Sequence, residues 1–502
     1  MNVLFVSAEV APFVSVGGLS QVMYFLPKAL RDLGNDVRVF TAKYGTMDKS
    51  LLENKMELAT EFAQLNVPVD ESETNGKNLI CNVLEYKDKE TDATTYFLEN
   101  REYYELRANV YGYKDDHIRF GLLSKGCLEW LYQIQMTGNW WPDIIHCHDW
   151  HTAYLIDYIK RTPRYAGVFK DVPVVLTIHN LSMQGNYDFK YGDKKDYDDG
   201  SISLESILSS KFQAQNPLKR GLLFADAVNT VSPTHAVEVL TPQYSEGMDD
   251  VLHKVKVKVT GILNGLDTEK FDPLTDKNIK KKYDAKSFVN ARVENKKQLQ
   301  KLFDLPVDAT RPLLSFSGRL VEQKGLDLIL DVLPHLFSER PDVQMVFLGA
   351  GNERYRLELT VLQKQFPNQL GLHLRPDFSL PRKIFAGADM MLVPSIFEPG
   401  GIIALEALRY GCVPLVRRTG GLNDIVSDFN PNAKSGNGFS FKNIDSWALY
   451  GAIIESLTIF AVPALWNSLV KNCMKSDFSW NFAAKEYDSW YKRVVEDKNS
   501  KQ

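Results

Sequence analysis

Residues 317 to 325 read Ser-Gly-Arg-Leu-Val-Glu-Gln-Lys-Gly, which sets two cations, Arg319 and Lys324, five positions apart behind an apolar run. That run, Leu313, Leu314 and Phe316, has the length of a buried strand. Gly325 then opens a segment (Leu326, Leu328, Leu330, Val332, Leu333, Leu336) of helical or mixed period. The cations therefore stand on a strand-to-helix turn. In a parallel sheet, ligands bind beyond the carboxyl ends of strands, and a departing diphosphate needs fixed positive charge where its own charge develops. Arg grips phosphate with a planar fork and Lys adds a point charge. Two readings stand at this point: a diphosphate grip, or ordinary solvated surface cations.

The chain is 502 residues long. Single cores stop growing at about 250 to 300 residues, so two or three domains are expected. Apolar residues at 44% and charged residues at 24% are ordinary for a globular protein. A net charge of −4 supplies no basic field for nucleic acid or an anionic membrane, so any anion site must be local. The five cysteines (Cys81, Cys127, Cys147, Cys412, Cys473) form no C-x-x-C pair and sit mostly in apolar runs, which fits a reducing compartment. Met1-Asn2 passes straight into the apolar Val3–Val6, and no stretch is long enough to span a bilayer. The expected location is cytoplasmic, or a plastid if a transit peptide has been removed.

The strand-then-polar-turn pattern recurs upstream. Val3–Val6 reads as a buried strand, followed by a loop through Glu9, Pro12 and Ser15 to Gly17-Gly18. Leu19, Val22, Leu26, Leu30 and Leu33 then recur at helical spacing, and Val37, Val39 and Phe40 make a second strand. The glycine pair either presents backbone N–H groups to an anion or lets the helix pack close to the sheet. Tyr103, Tyr104, Tyr111, Tyr113, Trp140 and Trp141 form an aromatic set that suits a core better than a sugar platform. Asp115 and Arg119 follow Tyr113 and either line a cleft or pair with each other.

A strand from Pro142 runs into His146-Cys-His-Asp-Trp-His151, and alternation puts His146 and His148 on one face. H-x-H beside an acid resembles zinc-ligand spacing, but no second ligand set of comparable density accompanies it. His146 suits a packed ring satisfied by backbone; His148, at the rim, suits substrate contact. Val172–Ile178 ends in His179-Asn180, and Ala227–Val231 ends in Ser232-Pro233-Thr234. Val257–Leu263 closes the domain before the turn Asn264-Gly265. Polar loops at 70–77 and 190–201 ask for no function. Strands alternating with helices, with chemistry after the strand, predict a doubly wound parallel sheet.

A second array follows. Residues 276–300 read as a solvated helix, Gln344–Leu348 as a strand, and Asp389–Val393 as another that ends in Pro394-Ser-Ile-Phe-Glu398-Pro-Gly-Gly401. Glu398 and Glu406 would share a helix face if the helix of Ile402–Tyr410 began early, and Glu406 could then accept from ribose hydroxyls. Otherwise both are exposed helix carboxylates. Val413–Val416 leads into Thr419-Gly-Gly-Leu422, a second glycine turn suited to phosphate. Asp477-Phe-Ser-Trp480 precedes an amphipathic helix carrying Phe482, Tyr487, Trp490 and Tyr491.

Along nearly its whole length the chain resembles the bacterial glycogen and plant starch synthases, retaining glucosyltransferases of GT-B fold. The likeness rests on ordered motifs that include Ser-Ala-Glu-Val-Ala-Pro-Phe (7–13), Gly-Gly-Leu (17–19), His-Asp-Trp-His-Thr-Ala (148–153), Thr-Ile-His-Asn-Leu (177–181), Gly-Ile-Leu-Asn-Gly-Leu-Asp (261–267), Arg319–Gly325 and Thr-Gly-Gly-Leu (419–422). The resemblance implies an α/β protein of two Rossmann-like domains facing across a cleft: 1–264 on the acceptor side, 265–475 on the nucleotide-sugar side, and a C-terminal helix, 476–502, crossing back.

It further implies that Arg319 and Lys324 hold the donor diphosphate, Glu398 the glucose hydroxyls, and Thr419, Gly420, Gly421 and Leu422 the phosphate through backbone amides. His148 would touch the glucose. Glu9 and Asp115 would line the first-domain side, while Ser15, Gly17, Gly18, Asn264, Gly400, Gly401 and Glu406 fall at donor-binding positions. The donor is expected to be ADP-glucose or UDP-glucose and the acceptor an α-1,4-glucan, with no metal or other cofactor. Three departures stand out. The family's Lys-x-Gly-Gly-Leu lysine falls on Ser15; Glu-Pro-Cys-Gly reads Glu-Pro-Gly-Gly at 398–401; and Glu406 completes an E-x7-E pattern. Loss of the lysine leaves open a glucan-binding or regulatory relative without catalysis, and a GT-B enzyme with a small acceptor is a third reading.

Overall fold

The computed structural model describes residues 1–53, 55–69, 77–88, 93–138, 140–185, 198–377 and 379–500. Most of the two polar loops, 70–76 and 190–197, lies outside the described residues. The chain forms two compact units: Met1–Val231 with Ala236–Ile262 and Trp480–Gln502, and Ser232–His235 with Leu263–Ser479.

Among the described residues the first unit has nine strands: β1 (Asn2–Val6), β2 (Asp36–Ala42), β3 (Ala59–Pro68), β4 (Asn78–Lys87), β5 (Thr94–Glu99), β6 (Ile144–His148), β7 (Val174–Ile178), β8 (Ala227–Thr230) and β9 (Val259–Gly261). They lie in the order β3-β4-β5-β2-β1-β6-β7-β8-β9. Every residue of β6 and β7 is buried, as expected of central strands covered on both faces. The sheet is not wholly parallel: β4 runs antiparallel to both β3 and β5. Antiparallel ribbons tolerate water on one side, and β3 is mostly exposed, so its sequence carries no apolar run to announce it.

The helix Gly18–Asp32 buries Leu19, Val22, Met23, Leu26 and Leu30. The C-terminal helix Trp480–Asn499 buries Trp480, Tyr487, Trp490 and Tyr491 in the same unit's core. Phe482, assigned by pattern to that buried face, is instead 48% exposed.

The second unit is an all-parallel sheet of β10 (Leu313–Ser317), β11 (Gln344–Leu348), β12 (Leu370–His373), β13 (Met390–Val393), β14 (Val413–Arg417) and β15 (Phe439–Phe441), in the order β12-β11-β10-β13-β14-β15. The helix expected over 276–300 starts only at Phe288. Asp276 and Asp284 accept backbone N–H bonds from Asn278 (2.8 Å) and Ser287 (2.9 Å), closing Asp turns that compete with helix. Nor is that helix simply solvated, because Arg292, Asn295 and Lys296 are buried and the Lys296 ammonium pairs with Asp389 at 2.6 Å.

Each sheet has a strand from which the winding runs out to both sides. In the first unit β1 sits between β2 and β6, and in the second β10 sits between β11 and β13. Ligand sites of doubly wound sheets form in the crevice beyond the strand ends at such a reversal. Both reversals are where the polar motifs fall.

Candidate active site

At the second unit's reversal, the turn after β10 is braced against its neighbours by backbone. Gly318 N–H donates to the Leu348 carbonyl at 3.0 Å and Leu320 N–H to that of Ala350 at 2.9 Å. Arg319 projects from this fixed loop into solvent, with its guanidinium 3.3 Å from the Gln323 Oε1. Gln323 in turn donates to the Phe397 carbonyl at 2.9 Å, and its own carbonyl accepts from Ile396 N–H at 2.8 Å, tying this turn to the loop after β13. Gly325 has φ +69°, and a Cβ there would stand 2.0 Å from the Pro394 carbonyl oxygen. Only glycine permits that approach.

The approach brings Lys324 to Glu398. Lys324 Nζ donates to Glu398 Oε2 at 2.5 Å, and Ser395 Oγ donates to the same oxygen at 3.0 Å. The two side chains are 19% and 14% exposed, so the pair is reachable from solvent yet mostly removed from it. Lys324 and Glu398, 74 positions apart in sequence, are thus brought into direct contact.

The glycine turns behave differently from expectation. Gly421 N–H is shared between the carbonyls of Glu398 (3.0 Å) and Pro399 (2.9 Å), and Leu422 N–H donates to Thr419 at 3.1 Å. These two amides are committed to the protein, not held out to a phosphate. A Cβ on Gly420 would stand 2.3 Å from the Glu398 oxygen, and one on Gly421 would stand 2.5 Å from Gly400. Glycine here serves close packing of two backbone turns. Gly401, at φ +64°, opens the helix Ile402–Arg409, so Glu398 lies outside that helix and shares no helix face with Glu406. Glu406 is half-buried, and burial pushes its carboxyl up to about 7 against the opposing charges of Arg382 and Lys270. Asn264 is buried, and its Oδ1 has no hydrogen-bond partner among the described residues.

At the first unit's reversal the polar side chains are largely committed to protein partners. Glu9 does not offer its carboxylate outward. Oε2 accepts the N–H groups of Val16 (2.7 Å) and Gly17 (2.9 Å), and Oε1 accepts the Tyr111 hydroxyl at 2.5 Å. It shapes the loop that carries Ser15, Gly17 and Gly18, which are themselves exposed; Ser15 Oγ lies 2.7 Å from Ser20 Oγ. No signal in the sequence links Tyr111 to Glu9, 102 positions away. Asp115 and Arg119 do not pair with each other. Asp115 takes Arg107 at 2.5 Å, and Arg119 takes Asp116 at 2.6 Å.

His146 and His148 share a face of β6, with ring centroids 4.0 Å apart. The His146 ring is satisfied by the Tyr491 hydroxyl and Thr177 Oγ1, both at 2.7 Å, and so by side chains instead of backbone. His148 is not at a rim but fully buried. Its Nδ1 lies 3.1 Å from His179 Nε2, and its Nε2 has no partner among the described residues. Burial, with His146 and His179 adjacent, holds its pKa well below the usual imidazole range, so the ring is neutral. Among the described residues no three His, Cys, Asp or Glu side chains gather as a metal-binding set, so the H-x-H pair lacks a third ligand.

The architecture defines a glycosyltransferase of the GT-B class, and comparison with known proteins carries the assignment further. Residues 2–254 match the starch synthase catalytic domain and residues 297–459 match glycosyl transferases group 1. The chain belongs to the glycogen and starch synthase family. It is 38% identical to the glycogen synthase of Clostridioides difficile over 508 residues, covering 99% of this chain and all of that one. It is 38% identical to that of Caldicellulosiruptor saccharolyticus over 501 residues, with the same coverage. Among solved structures, the catalytic domain of starch synthase IV from Arabidopsis thaliana, bound to ADP and acarbose, matches with TM-score 0.79 at 31% identity, covering 98% of this chain and 99% of that one. Sucrose-phosphate synthase from Thermosynechococcus elongatus, at 17% identity and TM-score 0.54 over 99% of each chain, shares the fold.

Proposed function

We propose that this chain is an α-1,4-glucan synthase that transfers glucose, with retention of anomeric configuration, from a nucleotide-glucose to the nonreducing end of a glucan. ADP-glucose is the favoured donor, a choice supported by the ADP in the starch synthase IV structure. The observation that carries the reading is the Lys324–Glu398–Ser395 constellation at the β10–β13 reversal.

In this reading Arg319 and Lys324 meet the diphosphate, and no metal is required because fixed cations neutralise the charge that builds on the leaving group. Lys324 releases Glu398 in part as phosphate enters, and the carboxylate then accepts from glucose hydroxyls. His148, neutral and with Nε2 unpartnered, offers a buried ring nitrogen for a sugar hydroxyl. Front-face departure fits the carboxylates. Glu9 has both oxygens occupied and Asp115 is paired with Arg107, so neither stands ready as a nucleophile. The acceptor hydroxyl would lose its proton to the departing phosphate.

The test is turnover of purified protein with ADP-glucose and with UDP-glucose on glycogen, with the anomeric configuration of the product read by NMR. Glucan elongation, faster with ADP-glucose, is expected. Lys324→Ala should lose about 10²- to 10³-fold in kcat, the size of removing one preorganised charge at a leaving group. Near-native turnover in that variant would remove Lys324 from the assigned role.

A further inference from the structure

The strand β6 passes into the helix Asp149–Arg161 with no intervening loop, and the corner is Asp149, whose φ of +55° lies in the left-handed region. Asp and Asn are the side-chain-bearing residues that tolerate this region best, because a short polar side chain can bond locally to backbone. Here it bonds across the sheet instead. The Asp149 carboxylate accepts the N–H of His179 at 2.7 Å and that of Asn180 at 3.3 Å, the first two residues beyond β7. β6 and β7 are adjacent and parallel, with His148 in register with Thr177. The left-handed corner therefore aims the carboxylate at the end of the neighbouring strand.

That strand end carries the group against which His148 is oriented. His148 Nδ1 and His179 Nε2 are 3.1 Å apart, so one of the two nitrogens carries the proton they share. This fixes the rotation of the His148 ring and leaves its Nε2 as the nitrogen open to a ligand. Thr152, on the first turn of the same helix, holds the backbone of His148 from the other side: Oγ1 accepts His148 N–H at 2.7 Å and donates to the His148 carbonyl at 3.0 Å. Asp149 is 6% exposed, so water does not substitute for its two amide partners. Burial pushes the Asp149 carboxyl up to about 7, while the two N–H donors pull in the opposite direction, towards the ionised form.

We propose that Asp149 is a positioning residue of the transfer reaction: its left-handed corner and its carboxylate lock the His179–Asn180 turn in the place that orients the His148 ring. The inference rests on the glucosyl-transfer reading for its kinetic consequence but not for its geometry. Asp149 touches no reacting atom. It acts through the backbone of one neighbour and the ring of another.

Three substitutions separate the backbone contribution from the carboxylate. Asp149→Asn keeps a residue at ease with positive φ and keeps an oxygen acceptor. Asp149→Gly keeps the conformation and removes the acceptor, whereas Asp149→Ala removes both. Amide hydrogen exchange on the full chain reads the lock without reference to activity. The His179 and Asn180 amides should exchange at least tenfold faster in Asp149→Gly than in the native protein, and at close to the native rate in Asp149→Asn.

Steady-state kinetics with ADP-glucose and glycogen read the consequence. Asp149→Gly should lose ten- to a hundredfold in kcat with donor KM within about threefold, and Asp149→Asn should recover most of that loss. A merely structural role would move stability and leave this split and its rescue unexplained. Unchanged exchange at His179 in Asp149→Gly, kcat within twofold of native in that variant, or an Asp149→Asn as impaired as Asp149→Gly would each overturn the proposal. If the native protein transfers no glucose at all, the functional reading fails, while hydrogen exchange still decides whether the lock exists.

Discussion

The two sheet reversals are built to opposite electrostatic designs. At the end of β6 the first unit packs His146 and His148 into its interior, where burial keeps the imidazoles uncharged. Beyond β10 and β13 the second unit places an ion pair, Lys324 with Glu398, where a fifth or less of either side chain is exposed, and leaves Arg319 in solvent. A neutral buried nitrogen can orient a hydroxyl but cannot offset a departing diphosphate. A half-open cation can do so, and the carboxylate beside it keeps that cation in place until an anion competes for it. The difference teaches that the two reversals suit different tasks, each by itself: the second unit presents fixed positive charge, the first a neutral ring nitrogen.

The glycine turns of the two reversals differ in the same way, and substituting them gives the largest effect expected here. Gly325 combines φ +69° with a Cβ that would lie 2.0 Å from a backbone oxygen. Gly325→Ala must therefore push the β10 turn away from β13 and separate Lys324 from Glu398. A stability loss of more than about 2 kcal/mol is expected from strain and backbone displacement together, together with loss of donor turnover. A Cβ on Gly18 meets nothing within 4 Å and needs no positive φ. Gly18→Ala should change stability by no more than about 0.5 kcal/mol, as an ordinary surface substitution does. Denaturant midpoints of the two variants check the contrast, and equal midpoints would show that the second reversal is no more tightly built than the first.

A smaller effect concerns protons. Glu406 in the second unit has its carboxyl pushed from 4.5 to about 7, chiefly by burial. The folded chain then holds that proton more tightly than the unfolded chain, so stability from this group is greatest at low pH and declines as pH rises from about 4.5 to about 7. Glu406→Gln removes the decline. The variant's melting temperature, relative to native, should be more favourable at pH 8 than at pH 5, and a difference independent of pH would show that Glu406 ionises in the folded state as it does in water. His148 contributes the opposite case. Its ring stays neutral in the folded chain but takes up a proton below about 6.5 once unfolded, so its burial costs stability as pH falls through that value.

Much of this was legible in the chain. β1, β6, β10 and β13 read as strands because parallel strands covered on both faces open on apolar runs, and each is followed by the polar residues of the next turn. Lys324 and Glu398, 74 positions apart, are expected near one another only through the family resemblance, not through their spacing. What stayed hidden depended on partners set by folding. The saturation of Glu9 by Val16, Gly17 and Tyr111 turns an acid that reads as a cleft residue into a loop organiser. His146 finds its hydroxyl partner in Tyr491, 345 positions away. The amides of Gly421 and Leu422 read as a phosphate cradle because glycine pairs serve both anion binding and close packing, and pattern cannot separate the two. β3 was silent because a mostly exposed antiparallel edge strand has no apolar run; β4, although it carries Leu79, Ile80, Cys81, Val83 and Leu84, went unread.

The smallest effect expected sharpens the division of charge most directly. Ser15, expected from the resemblance to stand where the family has a lysine, is exposed, and its Oγ lies 2.7 Å from Ser20 Oγ. If the first unit contributes orientation and little charge in this chain, Arg319 and Lys324 carry the leaving group nearly alone, and a cation returned at position 15 should add to them. Ser15→Lys should then lower the KM for ADP-glucose several-fold, with kcat within about twofold. The gain should shrink between 0.05 and 0.5 M salt, because exposed charges are screened within about 10 Å at 0.1 M. A gain that persists at high salt would mean that the new side chain acts through packing instead of charge. An unchanged KM at every salt concentration would place residue 15 away from the donor phosphates, and the first unit's reversal would then be neutral by design, with the loss of the lysine costing the enzyme nothing.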